Sequence, residues 1–244
     1  MRKGRLKFRT GEPSPRTVRL MVMLNMNNST RTSRLQNQFL SLLMLFWLAI
    51  PNAAADDAKT ILVLGDSISS AYGLAIEDGW VALLQDNLDK HEFNTKIVNA
   101  SVTGDTTGNG LGRLPDLLSQ YKPHMLIIEL GGNDGLRGLS IKKLQSNLVG
   151  MAEMANDNGV QPVIVAVELP VNYGRAYNKL FNRAFITAAT ESDAALVSSL
   201  FDGMSASEGW FQPDGIHPSA KAQPVMLANV WKVIEPLLEE TMAQ

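Results

Sequence analysis

Cysteine is missing from all 244 residues. This excludes a thiol nucleophile, a thiolate metal site, a disulfide framework and a lipid-modified cysteine anchor. Histidine is nearly missing: His91, His124 and His217 are the only three, so an imidazole base must be one of these. The uncharged apolar stretch at 39–50 is twelve residues long, whereas a membrane-spanning helix needs about 20. A basic excess is also missing from most of the chain. Residues 1–55 hold nine Lys/Arg against Glu12 alone, a net of +8; with −2 for the whole chain, residues 56–244 carry −10. Nucleic acids and anionic membrane surfaces select basic patches, so neither is an expected partner. After residue 58 there is no repeat, linker or low-complexity segment.

What is present begins with a targeting pattern. Arg31 and Arg34 precede the apolar stretch, and Pro51 and then Ala53, Ala54 and Ala55 follow it. A positive region, an apolar core and a small-residue site, in that order, predict a secretory signal peptide cleaved after Ala55. Met21, Met23 and Met26 each offer an alternative start. Starting at Met26 gives a signal of ordinary length, so residues 1–30 are not expected to be a structural element. The expected organisation is an N-terminal extension and signal at 1–55 and one domain at 56–244, long enough to bury a sizeable core. The mature protein is expected to be soluble, monomeric, periplasmic or secreted, and without a stable membrane anchor.

Short apolar runs alternate with helical periods along the rest. The strand candidates are 60–64, 95–99, 125–130, 163–167 and a weaker one at 194–197. Runs that are apolar throughout suit strands covered on both faces. Between them, Trp80/Leu83/Leu84/Leu88, Leu111/Leu114/Leu117/Leu118, Leu144/Leu148/Met151/Ala155 and Phe181/Phe185/Ala188 have helical spacing. Gly159 is placed as a helix stop, and a last helix is expected over 225–238 with Pro224 near its first turn. The alternation predicts an α/β fold: a three-layer α/β/α, doubly wound domain on a mostly parallel five-stranded sheet. Ligands bind such sheets at the carboxyl ends of the strands, where the Gly-, Asn- and Asp-rich loops lie.

Four of those loops carry candidate chemistry. Gly65-Asp66-Ser67 follows the first strand, and Gly65 permits a tight turn that presents Ser67. Taken alone, this tripeptide reads better as an ordinary turn or helix N-cap. Asp214 and His217 are three residues apart in a Gly/Pro loop. They suit an orienting carboxylate and a general base, or a plain helix entry capped by Ser219. His91 reads as a surface residue at a helix end, and His124 as structural. Asn133, after Gly131-Gly132, suits an oxyanion donor with glycines that let backbone approach a substrate, or a turn. Gly104, after the second strand, can offer its backbone N–H.

The order of these blocks resembles the SGNH (GDSL-type) hydrolase superfamily, and within it the bacterial periplasmic thioesterase I/lysophospholipase L1/arylesterase group. The matching segments are 64–73, 99–105, 129–138, 169–175 and 214–218, and the likeness runs from about residue 60 to 238. It implies a flavodoxin-like SGNH hydrolase fold with Ser67 as nucleophile, His217 as base and then acid, and Asp214 as its orienter. The oxyanion hole would be the N–H of Ser67, the N–H of Gly104 and the side chain of Asn133. Gly135, Leu136 and Arg137 would lie in a mobile loop beside the acyl site, and Asn172, Tyr173 and Gly174 in a substrate-contacting loop. The activity implied is hydrolysis of an acyl ester, thioester or lysophospholipid substrate through an acyl-serine, with no metal and no other cofactor. A carbohydrate O-deacetylase uses the same scaffold. A non-catalytic flavodoxin-like binding module would make the four polar residues coincidental.

Overall fold

A computed structural model describes residues 58–205 and 209–242. The apolar stretch at 39–50 and the expected cleavage site after Ala55 lie outside the described residues. Five strands form one sheet: β1 (Lys59–Gly65), β2 (Thr95–Asn99), β3 (Met125–Glu129), β4 (Gln161–Val165) and β5 (Ala195–Val197). Their order is β2-β1-β3-β4-β5, and every pairing is parallel. The helices are α1 (Trp80–Lys90), α2 (Thr107–Tyr121), α3 (Gly132–Leu136), α4 (Ile141–Asp157), α5 (Arg175–Glu191) and α6 (Gln223–Met242). Helices α2, α4 and α5 pack side by side, and α1 packs with α6, so two helical layers flank the sheet.

The two-faced cover explains the strand composition. Ile61, Leu62, Val63 and Leu64 of β1, Leu126, Ile127 and Ile128 of β3 and Val163, Ile164 and Val165 of β4 are all essentially inaccessible. The edge strands β2 and β5 are only partly buried, which is why the fifth was the faintest in sequence. Strand β4 starts two residues earlier than its apolar run suggests and includes Pro162. Proline is tolerated near a strand's start, where one missing ladder donor costs least.

Helix ends follow local chemistry. The Thr106 side chain accepts the Asn109 N–H while the Asn109 side chain accepts the Thr106 N–H, closing a reciprocal cap on α2. Gly159, at φ +70°, stops α4 as expected, with Val160 N–H returning to the Ala155 carbonyl. No helix among the described residues is long and apolar enough to cross a membrane.

Candidate active site

The chain leaves β1 through Gly65 and turns at once. Asp66 Oδ1 accepts the Ile68 N–H at 3.0 Å, the Asp66 carbonyl accepts the Ser70 N–H and the Ser67 carbonyl accepts the Tyr72 N–H. Gly65 is not among the positive-φ glycines. It is needed for space: a Cβ there would lie 2.6 Å from Ser69 Cβ and 2.8 Å from Ser101 Oγ. The result is a nearly buried Ser67 above the carboxyl end of β1.

The loop before α6 reaches this turn from the far end of the chain. Gln212 N–H donates to the His217 carbonyl at 2.7 Å, Ser219 N–H donates to the Trp210 carbonyl, and Phe211 bridges Pro218. Inside that loop Asp214 Oδ1 accepts the N–H groups of Ile216 and His217 at 2.9 and 3.0 Å. Asp214 Oδ2 lies 2.7 Å from His217 Nδ1, and His217 Nε2 lies 3.0 Å from Ser67 Oγ. Partial burial pushes the Asp214 carboxyl up, but the hydrogen bonds from the imidazole and the two N–H groups outweigh it and hold it down at about 2. An ionised carboxylate only accepts, so Nδ1 carries the proton in the neutral ring and Nε2 turns its lone pair to the Ser67 hydroxyl.

Two residues given no role by the sequence reading, Gln212 and Tyr72, hold this approach. Gln212 Nε2 donates to the Tyr72 carbonyl at 2.8 Å and to the Pro218 carbonyl at 3.0 Å, tying the His217 loop to the Ser67 turn. The Tyr72 ring lies 4.5 Å from the His217 ring. Gln212 lies outside the motif segments and Tyr72 within the 64–73 segment; the three-dimensional closure reveals what both do.

Asn133 lies in the first turn of α3, and its Nδ2 donates to Asp66 Oδ2 at 3.0 Å. The two glycines before it differ in how tightly they are packed. Gly131, at φ +125°, has no room for a Cβ beside Phe185, and a Cβ on Gly132 would meet Asp66 Oδ2 at 3.4 Å. Gly104, at φ +85°, follows Thr103, whose hydroxyl lies 3.0 Å from Ser70 Oγ. Its loop is anchored by Arg113, which donates to Asp105 Oδ2 at 2.6 Å and to the Ala100 carbonyl at 3.1 Å. Asp134, next to Asn133, is buried and accepts the N–H and hydroxyl of Thr107 at 2.8 and 2.6 Å. That pins α3 to the start of α2.

Beneath the Ser67 turn lies a pair of buried acids, Asp66 of the tripeptide and Glu129 at the start of the 129–138 segment, whose burial the motifs did not show. Burial raises Asp66 to about 6, against the pull of the Ile68 N–H, the Asn133 amide and the His217 charge. Glu129, the last residue of β3, is fully buried; burial and then the Asp66 charge hold it well above the usual carboxylate range. Its Oε2 accepts the Ser69 hydroxyl at 2.6 Å, and its Oε1 has no partner among the described residues.

The two stretches expected to contact substrate are joined to each other. Gly135 and Leu136 belong to α3 and not to a free loop. Gly135 is packed so closely that a Cβ would lie 2.7 Å from Leu169 and Phe181, and its carbonyl accepts the Tyr177 hydroxyl at 3.1 Å. The Leu136 carbonyl accepts the Tyr173 hydroxyl at 3.0 Å. Asn172 and Tyr173 form a short 3₁₀ turn, Val171–Tyr173, and Gly174 at φ +88° leads into α5. Arg137 is exposed and reaches back to Asn133 and Gly104. Among the described residues no group of three or more His, Asp and Glu is arranged to hold a metal ion.

The sequence and the fold have counterparts. Esterase TesA of Pseudomonas aeruginosa is 47% identical over 181 residues, which is 74% of this chain and 90% of that protein. Thioesterase 1/protease 1/lysophospholipase L1 of Escherichia coli K12 is 38% identical over 216 residues, 88% of this chain and 98% of that protein. The crystal structure of TesA superposes with a TM-score of 0.72 at 46% identity, covering 73% of this chain and 99% of its own. The model of the GDSL-like Lipase/Acylhydrolase family matches residues 63–223, from within β1 to the start of α6. Because that match spans every loop described above, and the relatives align along nearly their full length, the chain belongs to the GDSL-like Lipase/Acylhydrolase family.

Proposed function

We propose that this protein is an exported serine hydrolase of acyl esters and thioesters, with Ser67, His217 and Asp214 as its catalytic triad. The observation that carries the reading is the continuous path from Asp214 Oδ2 through the imidazole to Ser67 Oγ, at 2.7 and 3.0 Å. Ser67 Oγ attacks the acyl carbonyl as His217 Nε2 takes its proton, and Asp214 stabilises the imidazolium. The N–H groups of Ser67 and Gly104 and the Nδ2 group of Asn133 receive the developing oxyanion. His217 then protonates the departing oxygen or sulfur, leaving an acyl-serine that water cleaves by the reverse sequence.

Acyl chains suit the surroundings better than sugars. Tyr72 packs its ring against His217, Ile216 lies in the His217 loop, Leu139 follows α3, and Val171 and Tyr173 belong to the 3₁₀ turn that bonds the α3 end; all five are exposed. The relatives' names, esterase and thioesterase/lysophospholipase, point the same way. The substrate class is therefore acyl esters, acyl thioesters and lysophospholipids. Residues 1–55 act as extension and signal, and residues 56–244 as the catalytic domain released to the periplasm.

A fluorophosphonate probe tests the core of this reading. Labelling of the wild type and none of Ser67→Ala is expected, with a drop of about a millionfold in nitrophenyl-ester turnover. Labelling that survives Ser67→Ala would assign the nucleophile elsewhere. Graded acyl-CoA, lysophospholipid and nitrophenyl esters set the substrate order. Fractionation with N-terminal sequencing should find soluble protein beginning at Asp56; an intact N-terminus in the membrane pellet would reject cleavage.

A further inference from the structure

We infer that Arg137 is a positioning residue that sets two of the three oxyanion donors at once, through a single amino group. The inference rests on the oxyanion roles proposed above for Gly104 and Asn133. Arg137 Nη2 donates to the Gly104 carbonyl at 2.9 Å and to Asn133 Oδ1 at 3.1 Å. One NH2 group has two protons, and both are committed. The loop after β2 and the helix after β3 are thereby joined at the points where each presents its donor.

The consequence for Asn133 is specific. Its Oδ1 faces a donor-only guanidinium, and its Nδ2 faces Asp66 Oδ2 at 3.0 Å. Rotating the amide by a half turn would set donor against donor at Arg137, so the guanidinium fixes which end of the amide is nitrogen. With one Nδ2 proton held by Asp66, the second is the one left for an oxyanion. Withdrawal of electron density by a cationic donor at Oδ1 also makes that remaining proton a stronger donor.

The consequence for Gly104 is different. The carbonyl that Arg137 holds belongs to the peptide linking Gly104 to Asp105, whereas the Gly104 N–H belongs to the preceding peptide. Arg137 therefore does not polarise that N–H. It fixes the backbone of a glycine at φ +85°, a residue with no Cβ to limit it.

The guanidinium is exposed, and its Nε and Nη1 groups make no hydrogen bond to the described residues. Loss of Arg137 should leave the fold intact and loosen the two donors. Arg137→Met is expected to lower kcat roughly tenfold while KM changes less than about twofold. This is less than the roughly 10²–10³ attached to loss of a whole oxyanion donor. Arg137→Lys should recover part of kcat, and free guanidinium ion should partly rescue Arg137→Ala.

A double-mutant cycle with Asn133→Ala separates the possibilities. If Arg137 acts through Asn133, most of its effect on kcat disappears in the Asn133→Ala background. A kcat drop for Asn133→Ala together with an unchanged kcat for Arg137→Met overturns the inference and leaves the oxyanion assignment standing. No kcat drop for Asn133→Ala overturns the assignment itself. An effect of Arg137→Met on KM alone would make it a substrate contact and reject the positioning role. Melting temperatures of all variants identify any that lose activity by unfolding.

Discussion

Single side chains at this site have opposite electrostatic demands. Asp214 sits in a shallow loop whose hydrogen bonds hold its pKa at about 2. Its stabilising contribution is present above the unfolded carboxylate value of 3.8 and is lost only as pH falls toward 2. Its carboxylate thus stays charged wherever the enzyme works. Asp214→Asn keeps the shape but removes the acceptor-only partner of Nδ1–H, so the ring can adopt the wrong tautomer. A loss of roughly 10⁴ in kcat is expected; stopped-flow or steady-state esterase kinetics would show it, and a loss below tenfold would reject the orienting role. Asp66 has the reverse bias. Its pKa is raised from 3.8 to about 6 by burial, so stability present below the unfolded value is lost as pH rises through 6. Asp66→Asn cannot titrate. Between pH 4 and pH 8, wild type should therefore lose stability relative to Asp66→Asn in denaturant titrations. A constant difference between the two proteins would contradict the raised pKa.

At the scale of elements, what sequence exposes is what repeats. The central strands were legible because Ile61–Leu64 and Leu126–Ile128 are covered on both faces. Helices α1, α2, α4 and α5 were legible because Trp80, Leu84 and Leu88, or Leu144, Leu148 and Met151, recur at helical spacing and are buried. The start of β4 was not, because Pro162 argues against a strand while the register with Leu126 accepts it. Helix α3 was not legible either. It has five residues, two of them glycine, too short for a period to show. Of the two glycines before Asn133, Gly131 is closely packed against Phe185, which no local pattern shows. The motifs marked Ser67, Asn133, Asp214 and His217 and contained Asp66 and Glu129, but gave no sign that these two acids are buried, and Gln212 lies outside every motif. Because α3 carries Asn133, its packing has a functional readout. Gly135→Ala forces a methyl against Leu169 and Phe181 and should cost about 1–3 kcal/mol. Calorimetry should show a lower Tm, and kcat should fall in the same variant as Asn133 is displaced. Unchanged Tm and kcat would show that α3 shifts freely.

Across the whole molecule the site is assembled from the two ends of the domain. Ser67 leaves the second strand of the sheet order and His217 arrives 150 positions later; the Gln212–Tyr72 hydrogen bond spans 140. Gln212→Ala should cost only about 1 kcal/mol in stability yet lower kcat/KM by roughly tenfold or more, since a displaced loop misaligns His217 with Ser67. Equal loss of stability and no change in kcat/KM would show that the loop is placed without it. The buried acids carry a longer consequence. The turn that presents Ser67 is built over Asp66, a group whose charge the interior resists, so at neutral pH the protein is less stable than its own packing permits. A mutant library heated and sorted for survival alone should enrich neutral replacements at position 66. Those survivors would have a sturdier fold and a poorly held Asn133. Robustness and turnover therefore compete at one carboxyl group, and engineering this scaffold for heat requires screening both together.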